Sequence, residues 1–223
     1  MFIELVDQLR CVRPHEDAWL VAAPDRMSGR HIVEGVLGCP VCGARYPVRD
    51  AVADFRPDAV DPVARNVAAP GDDASDPRAG DEDAMRAAAL LALADVRAPV
   101  VLAGEWGVVA PTLVALAPAA YLLVNPTAPV EARTELSALR AAGALPLAAG
   151  AAHAVALDAA AARDDALVAG AVRALRGGGR LVAPAWAALP ADVRELAHDE
   201  RHWVAERDAP ASAPVALRRG RMG

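Results

Sequence analysis

The sequence predicts an α/β protein with a mostly parallel sheet and crossover helices, preceded by a small β-rich module. Two observations carry this. All three cysteines fall in the first 56 residues, among short apolar runs such as HIVEGVLGC and RYPVRDAVADF that suit small strands joined by turns. From residue 84 onward, helix-like and strand-like segments alternate as a parallel sheet requires.

Taken in order, residues 1–56 read as the compact β-rich module. Residues 57–83 carry eight acidic residues against two arginines with Pro and Gly scattered through, a pattern that reads as a solvated linker. Residues 84–223 read as the α/β domain. A helix is predicted over 84–96, then the strand PVVLAG, a helix near 110–118 and the strand AYLLVN. A helix around 129–142, the strand AHAVALD, a helix around 162–175 and the strand GRLVAPA follow, the last after the Gly177-Gly178-Gly179 turn. A final helix near 191–198 precedes RHWVAERD and PVALRRG, which are expected to close the sheet as an antiparallel hairpin.

Composition narrows the function classes. At 223 residues and 55% hydrophobic content, the chain can bury a substantial core. Arginine supplies all the positive charge, the formal net charge is -6, and no basic block interleaves with aromatics, so the footprint of a nucleic-acid binder is missing. The start of the chain lacks a basic, then apolar, secretory pattern, and no apolar run reaches the ~18–20 residues of a membrane span. The expected setting is cytoplasmic, where clustered cysteines hold metal more often than disulfides.

Cys39-Pro40-Val41-Cys42-Gly43 has the form of a zinc knuckle: two thiolates two residues apart reach one ion, and the glycine lets backbone N–H groups turn toward sulfur. Cys11 is the natural third ligand. His15 is the expected fourth, since Cys11 and His15 form a second short chelating pair and imidazole completes a tetrahedral shell without added charge. His31 competes for that position, and cysteines that are merely buried are the alternative to a site at all. Four closed protein ligands would make the zinc structural. His153 reads as a packed histidine, and the spacing of His198 and His202 as a weak metal pair.

The leucine-rich start, Cys11, Val36-Leu37-Gly38-Cys39, Cys42 and Tyr46-Pro47-Val48 together resemble the zinc-ribbon family typified by the activator subunit of tRNA and protein methyltransferases. The resemblance covers about residues 2–56 and implies a module that stabilises or docks onto a methyltransferase domain. This chain departs from the family at Cys11-Val12-Arg13-Pro14-His15, where a C-P-x-C pair is usual.

The second domain resembles the class I S-adenosylmethionine-dependent methyltransferases, a Rossmann-like fold. Leu145-Pro146-Leu147, Asp158, Arg173-Ala174-Leu175 and Gly177-Gly178-Gly179-Arg180-Leu181 match that family's pattern in order. The resemblance implies a first loop of closely spaced glycines with an acid beside it, and a second strand ending in an acid for the ribose hydroxyls. Here Gly104 and Gly107 remain, Trp106 stands where another glycine would admit the cofactor, and Glu105 is the nearest carboxylate. Asn125 replaces the ribose acid, and Ala142-Gly143-Ala144 stands where an adenine-side acid belongs. These losses predict a retained fold with an emptied site, acting as a scaffold or regulatory subunit through contacts with another protein, such as a methyltransferase. Two alternatives remain. One is an active S-adenosylmethionine-dependent enzyme using Glu105 and Asn125. The other is a nucleic-acid-binding ribbon with a face built from Arg10, Arg13, Arg26, Arg30, Arg45 and Arg49.

Overall fold

Alternating apolar side chains that point to opposite faces allow a strand to serve two cores at once, and this sheet uses that property along its length. In the computed structural model, residues 1–57, 77–96, 98–130 and 135–208 are described. They form β1 (Val21–Ser28), β2 (His31–Gly38), β3 (Arg45–Arg49), β4 (Val52–Asp54), α1 (Pro77–Leu90) and β5 (Val100–Ala103). Then come α2 (Ala110–Leu116), β6 (Tyr121–Val124), β7 (Leu136–Arg140), β8 (Ala152–Ala156), α3 (Asp165–Ala174), β9 (Leu175–Pro184), β10 (Val193–His198) and β11 (His202–Arg207). All eleven strands share one sheet in the order β1-β2-β3-β4-β7-β6-β5-β8-β9-β11-β10.

Counted from β5, the second half runs 3-2-1-4-5-7-6: the doubly wound order with one antiparallel strand inserted before the last. β7, β6, β5, β8 and β9 are parallel, and β11 and β10 close the sheet as an antiparallel hairpin. The fold is therefore α/β and Rossmann-like. The N-terminal strands β1 to β4 form an antiparallel meander, and β4 continues the sheet by pairing in parallel with β7, Val52 opposite Ala138 and Asp54 opposite Arg140.

Each face has its own core. Val100 and Leu102 of β5 lie in the core under α1 and α2. Val101 and Ala103 lie in the other, which also holds Leu167 of α3, Leu37 of β2 and the N-terminal residues Leu5, Val6 and Leu9. The connection between β7 and β8 contains no helix. The 3₁₀ turn Ile3–Gln8 lies beside that connection: Leu9 bridges Leu147, Arg10 N donates to Pro146 O at 3.0 Å, and Ala148 N donates to Gln8 O at 2.8 Å. Leu9 and Leu147 are both fully buried. The N-terminal module thus covers sheet surface that a crossover helix would cover in a regular βαβ unit.

Local chemistry sets several element ends. Asp164 caps α3, its carboxylate accepting from Ala166 N and Leu167 N at 3.0 and 3.1 Å. Pro111 sits in the first turn of α2, where a missing N–H costs nothing. Gly177, Gly178 and Gly179 fall inside β9 as an irregularity, because the pairing jumps from Ala152–Leu175 to Ala154–Arg180. A Cβ on Gly179 would stand 2.9 Å from the carbonyl oxygens of Arg176 and His153.

Four sequence expectations are corrected. The helix around 129–142 is strand β7 over Leu136–Arg140; residues 131–134 lie outside the described set. Leu, Ala, Glu and Arg favour helix, but this stretch is held between β6 and β4 with Leu136, Ser137, Ala138 and Leu139 all buried. The helix near 191–198 is strand β10, drawn into the ladder by β11. The closing hairpin consequently uses β10 and β11, its turn fixed by Asp199, whose carboxylate accepts from Arg201 N and His202 N at 2.8 Å each; the second predicted strand, PVALRRG, lies outside the described residues. The first predicted helix starts and ends earlier, as α1 over Pro77–Leu90. Among the described residues no helix is long and apolar enough to cross a membrane.

Candidate metal centre and the strand-end crevice

Cys39 directly follows β2 and Cys42 lies in the turn to β3, a turn closed by Cys39 N donating to Ala44 O at 2.8 Å and Gly43 N to Cys39 O at 3.0 Å. Gly43 has φ +71°, the left-handed conformation this reversal needs. Cys11 is brought alongside by its own N–H, which donates to Ala18 O at 3.1 Å. The ligand atoms of Cys11, His15, Cys39 and Cys42 all lie within 4.8 Å of one another.

Two of their separations match those around a tetrahedral ion. With Zn–S of about 2.3 Å and Zn–N of about 2.05 Å, tetrahedral angles place sulfurs about 3.8 Å apart and sulfur and nitrogen about 3.5 Å apart. Cys11 Sγ and Cys42 Sγ are 3.7 Å apart, and Cys39 Sγ and His15 Nε2 are 3.5 Å apart. The Nδ1 of His15 lies 2.5 Å from Glu16 O and donates to it, which leaves the Nε2 lone pair facing the sulfurs. His31 is elsewhere: it is buried at the start of β2, its ring 5.5 Å from Phe2. The residues thus form a Cys3His group that could hold zinc.

Tyr46, matched in the sequence only as part of a family pattern, supports this group. Its hydroxyl lies 3.0 Å from Cys11 Sγ and accepts from Val12 N at 3.3 Å, and its ring stacks on Phe55 at 4.5 Å. Burial pushes the Cys11 thiol up. At Cys39 burial acts in the same sense, but backbone N–H groups of Cys42 and Val41, together with the Cys42 and Cys11 side chains, outweigh it and bring the thiol down to about 7. A thiolate is the form in which cysteine ligates metal.

The second candidate region is the crevice at the carboxyl ends of β5, β6 and β8, where open α/β sheets bind their ligands. Gly104, the first residue after β5, has φ +57°. A Cβ there would fall 1.9 Å from Asp158 Oδ2, so the carboxylate packs directly on the glycine. Asp158 is buried, accepting from Glu105 N at 3.2 Å and Ala161 N at 2.8 Å. The space against this glycine is occupied by a side chain of the protein. The Glu105 side chain is exposed, and its backbone is what joins the network. Trp106 crosses from β5 to the end of β8, its Nε1 donating to Leu157 O at 3.2 Å and its ring 5.1 Å from that of His202 on β11. Gly107 makes no close approach; a Cβ there would meet only ordinary contacts from 3.8 Å outward.

Asn125 is also committed. Its Nδ2 donates to Ala141 O and its Oδ1 accepts from Ala141 N, both at 2.9 Å, tying the end of β6 to the end of β7. Beneath these ends, Val101, Ala103, Val124, Leu145 and Leu157 line an apolar void of ≈ 10 Å³. Replacing the amide with a carboxylate, Asn125→Asp, sets a charged oxygen against the Ala141 carbonyl oxygen. The expected result is a loss of about 1–3 kcal/mol in chemical denaturation, with no gain in nucleoside binding by calorimetry.

Of the six arginines expected to form a basic face, Arg10, Arg26 and Arg30 are paired with Asp17, Glu34 and Glu4. His153 accepts from Arg176 and lies 3.2 Å from Ala92 O, the packed role expected of it. His198 is 3.8 Å from Glu195, while His202 faces Trp106, so the weak metal pair is not assembled.

Searches for similar proteins found no matching family model and no matching curated protein. Among solved structures, the chain is similar to a geranyl diphosphate methyltransferase in complex with SAM, at 16% identity, TM-score 0.37, over 46% of this chain and 48% of that one. It is similar to the antibiotic-resistance methyltransferase Kmr at 17% identity, TM-score 0.40, over 57% of this chain and 93% of that one. A third likeness is to the complex between the Haloferax volcanii Trm112 methyltransferase activator and a candidate methyltransferase, at 15% identity, TM-score 0.33, over 46% of this chain and 54% of that one. The match spans about half the length of the first and third of these structures.

Proposed function

We propose that this chain is a non-catalytic, methyltransferase-like scaffold whose zinc ribbon serves its own α/β sheet and whose role is carried by protein contacts. The observation that carries the reading is the self-sealed crevice. Asp158 occupies the space against Gly104, Trp106 spans the ends of β5 and β8, and the Asn125 amide is spent on Ala141. An adenosyl ligand of several hundred Å³ needs a cleft of comparable size, and the void lined by Val101, Ala103 and Val124 measures ≈ 10 Å³. A ligand would have to break partly buried hydrogen bonds to enter, each costly to leave unmade.

Zinc, held by Cys11, His15, Cys39 and Cys42, would be structural, because four protein ligands leave no coordination position for a substrate or water. The ribbon contributes through β4, which extends the sheet beside β7, and through Leu5, Val6 and Leu9, which complete its core. The module that the resemblance associates with docking onto a methyltransferase domain therefore docks here within one chain.

Isothermal titration with S-adenosylmethionine and S-adenosylhomocysteine tests the reading. No saturable heat is expected up to millimolar ligand. Micromolar binding would replace the scaffold with the active-enzyme reading, in which Trp106 swings aside to open the cleft.

A further inference from the structure

Another cavity lies away from the strand-end crevice. It is a groove of ≈ 560 Å³ between the zinc knuckle, the outer face of β3 and the turn that follows β7. Its lining includes Arg13, Arg45, Arg49 and Arg56 and, among the described residues, no carboxylate. In a protein of formal net charge -6, such a one-signed patch is not an average piece of surface.

The strand period explains its layout. Arg45, Pro47 and Arg49 alternate with the buried Tyr46 and Val48, so all three share the outer face of β3. Pro47 stands opposite Val36 of β2, and together these give an apolar floor between two exposed guanidinium groups. Positions four apart on a strand are about 13 Å apart. Arg13 and the small residues Ala142, Gly143 and Ala144 complete the wall. Arg56 is neutralised by Asp54, at 2.9 and 2.6 Å, and that pairing holds the Asp54 carboxyl below its usual range against the opposing effect of burial. Arg13, Arg45 and Arg49 are exposed at the rim.

We infer that this groove is a docking site for an extended acidic peptide segment of a protein partner, with carboxylates about four residues apart seated on Arg45 and Arg49 and small apolar side chains lying over Val36 and Pro47. Guanidinium forks match carboxylates in pairs, and a strand-like peptide repeats its side chains at the spacing of β3 itself. The inference extends the protein-contact reading above but stands on the groove's own geometry.

The test uses the full-length protein and a fluorescein-labelled decapeptide with glutamates four residues apart and alanine and valine between them, read by anisotropy. Saturable binding is expected, weakening several-fold as salt rises through about 300 mM. Arg45→Glu combined with Arg49→Glu should weaken it at least tenfold with circular dichroism unchanged, while Arg194→Ala, at the far edge of the sheet, leaves it intact. Three outcomes overturn the proposal: no binding, binding indifferent to the double variant, or tighter binding of an oligouridylate of equal length. Binding that appears only after Asp58, Asp61, Asp72, Asp73 and Asp76 are changed to Asn also overturns it, because the occupant is then the chain's own acidic run. Titration of S-adenosylmethionine into the same samples reports on the scaffold reading separately.

Discussion

Stripping zinc with a strong chelator, or replacing Cys39 with Ser, is expected to lower stability by at least about 4 kcal/mol, the stabilisation given by a ligand a thousandfold above its Kd. For a chain of this size that is a fall in Tm of roughly 8–16 °C. The reason is geometric. Cys11, His15, Cys39 and Cys42 bring the N-terminal segment to the β2–β3 turn, and without the ion only weak thiol contacts join the two. The loss should not stay local, because Leu37, Cys39, Tyr46 and Phe55 share one apolar core with Leu139, Leu147 and Val155 of the second half. A single cooperative transition that moves as a whole on chelation is the expected trace. The check is a thermal melt with metal analysis on the same preparation. Purified protein that carries no zinc, yet melts unchanged in chelator, would remove the metal centre.

Leu9→Ala is expected to cost about 2–5 kcal/mol, as much as any single apolar truncation in the chain. Leu9 is fully buried against Leu147, at the place where the β7–β8 connection brings no helix. Truncation there opens a cavity where two structural units meet, and the backbone bonds of Arg10 N to Pro146 O and Ala148 N to Gln8 O keep the walls from closing in. Leu116→Ala, on the exposed side of α2, should change stability by less than about 0.5 kcal/mol. Urea denaturation of both variants decides the matter. Equal effects would mean that the N-terminal segment does not carry the sheet.

Much of the metal group was legible because its information is local. A C-x-x-C pair followed by glycine and a cysteine with a histidine four residues on constrain the ligand atoms through chain geometry alone, and the structure brings those four residues together. Strand runs such as Val100–Ala103 and Ala152–Ala156 were legible because continuous apolar sequence of that length fits a buried parallel strand. The misread segments are those where local preference and tertiary demand disagree. Leu136–Arg140 and Val193–His198 favour helix residue by residue, and only the neighbouring strands β4, β6 and β11 convert them.

By itself, then, the sequence determined the central strands of the sheet, the three cysteines with His15 or His31 as candidate ligands, and the departure from the glycine and acids that the resemblance leads one to expect. The tertiary structure alone decided what replaced them. Asp158 against Gly104 lies 54 positions away, Asn125 against Ala141 lies 16 away, and Leu9 against Leu147 spans most of the chain. Periodicity, propensity and motif spacing act within about one turn or one strand, whereas burial and hydrogen-bond satisfaction are settled between segments that meet only when the sheet assembles.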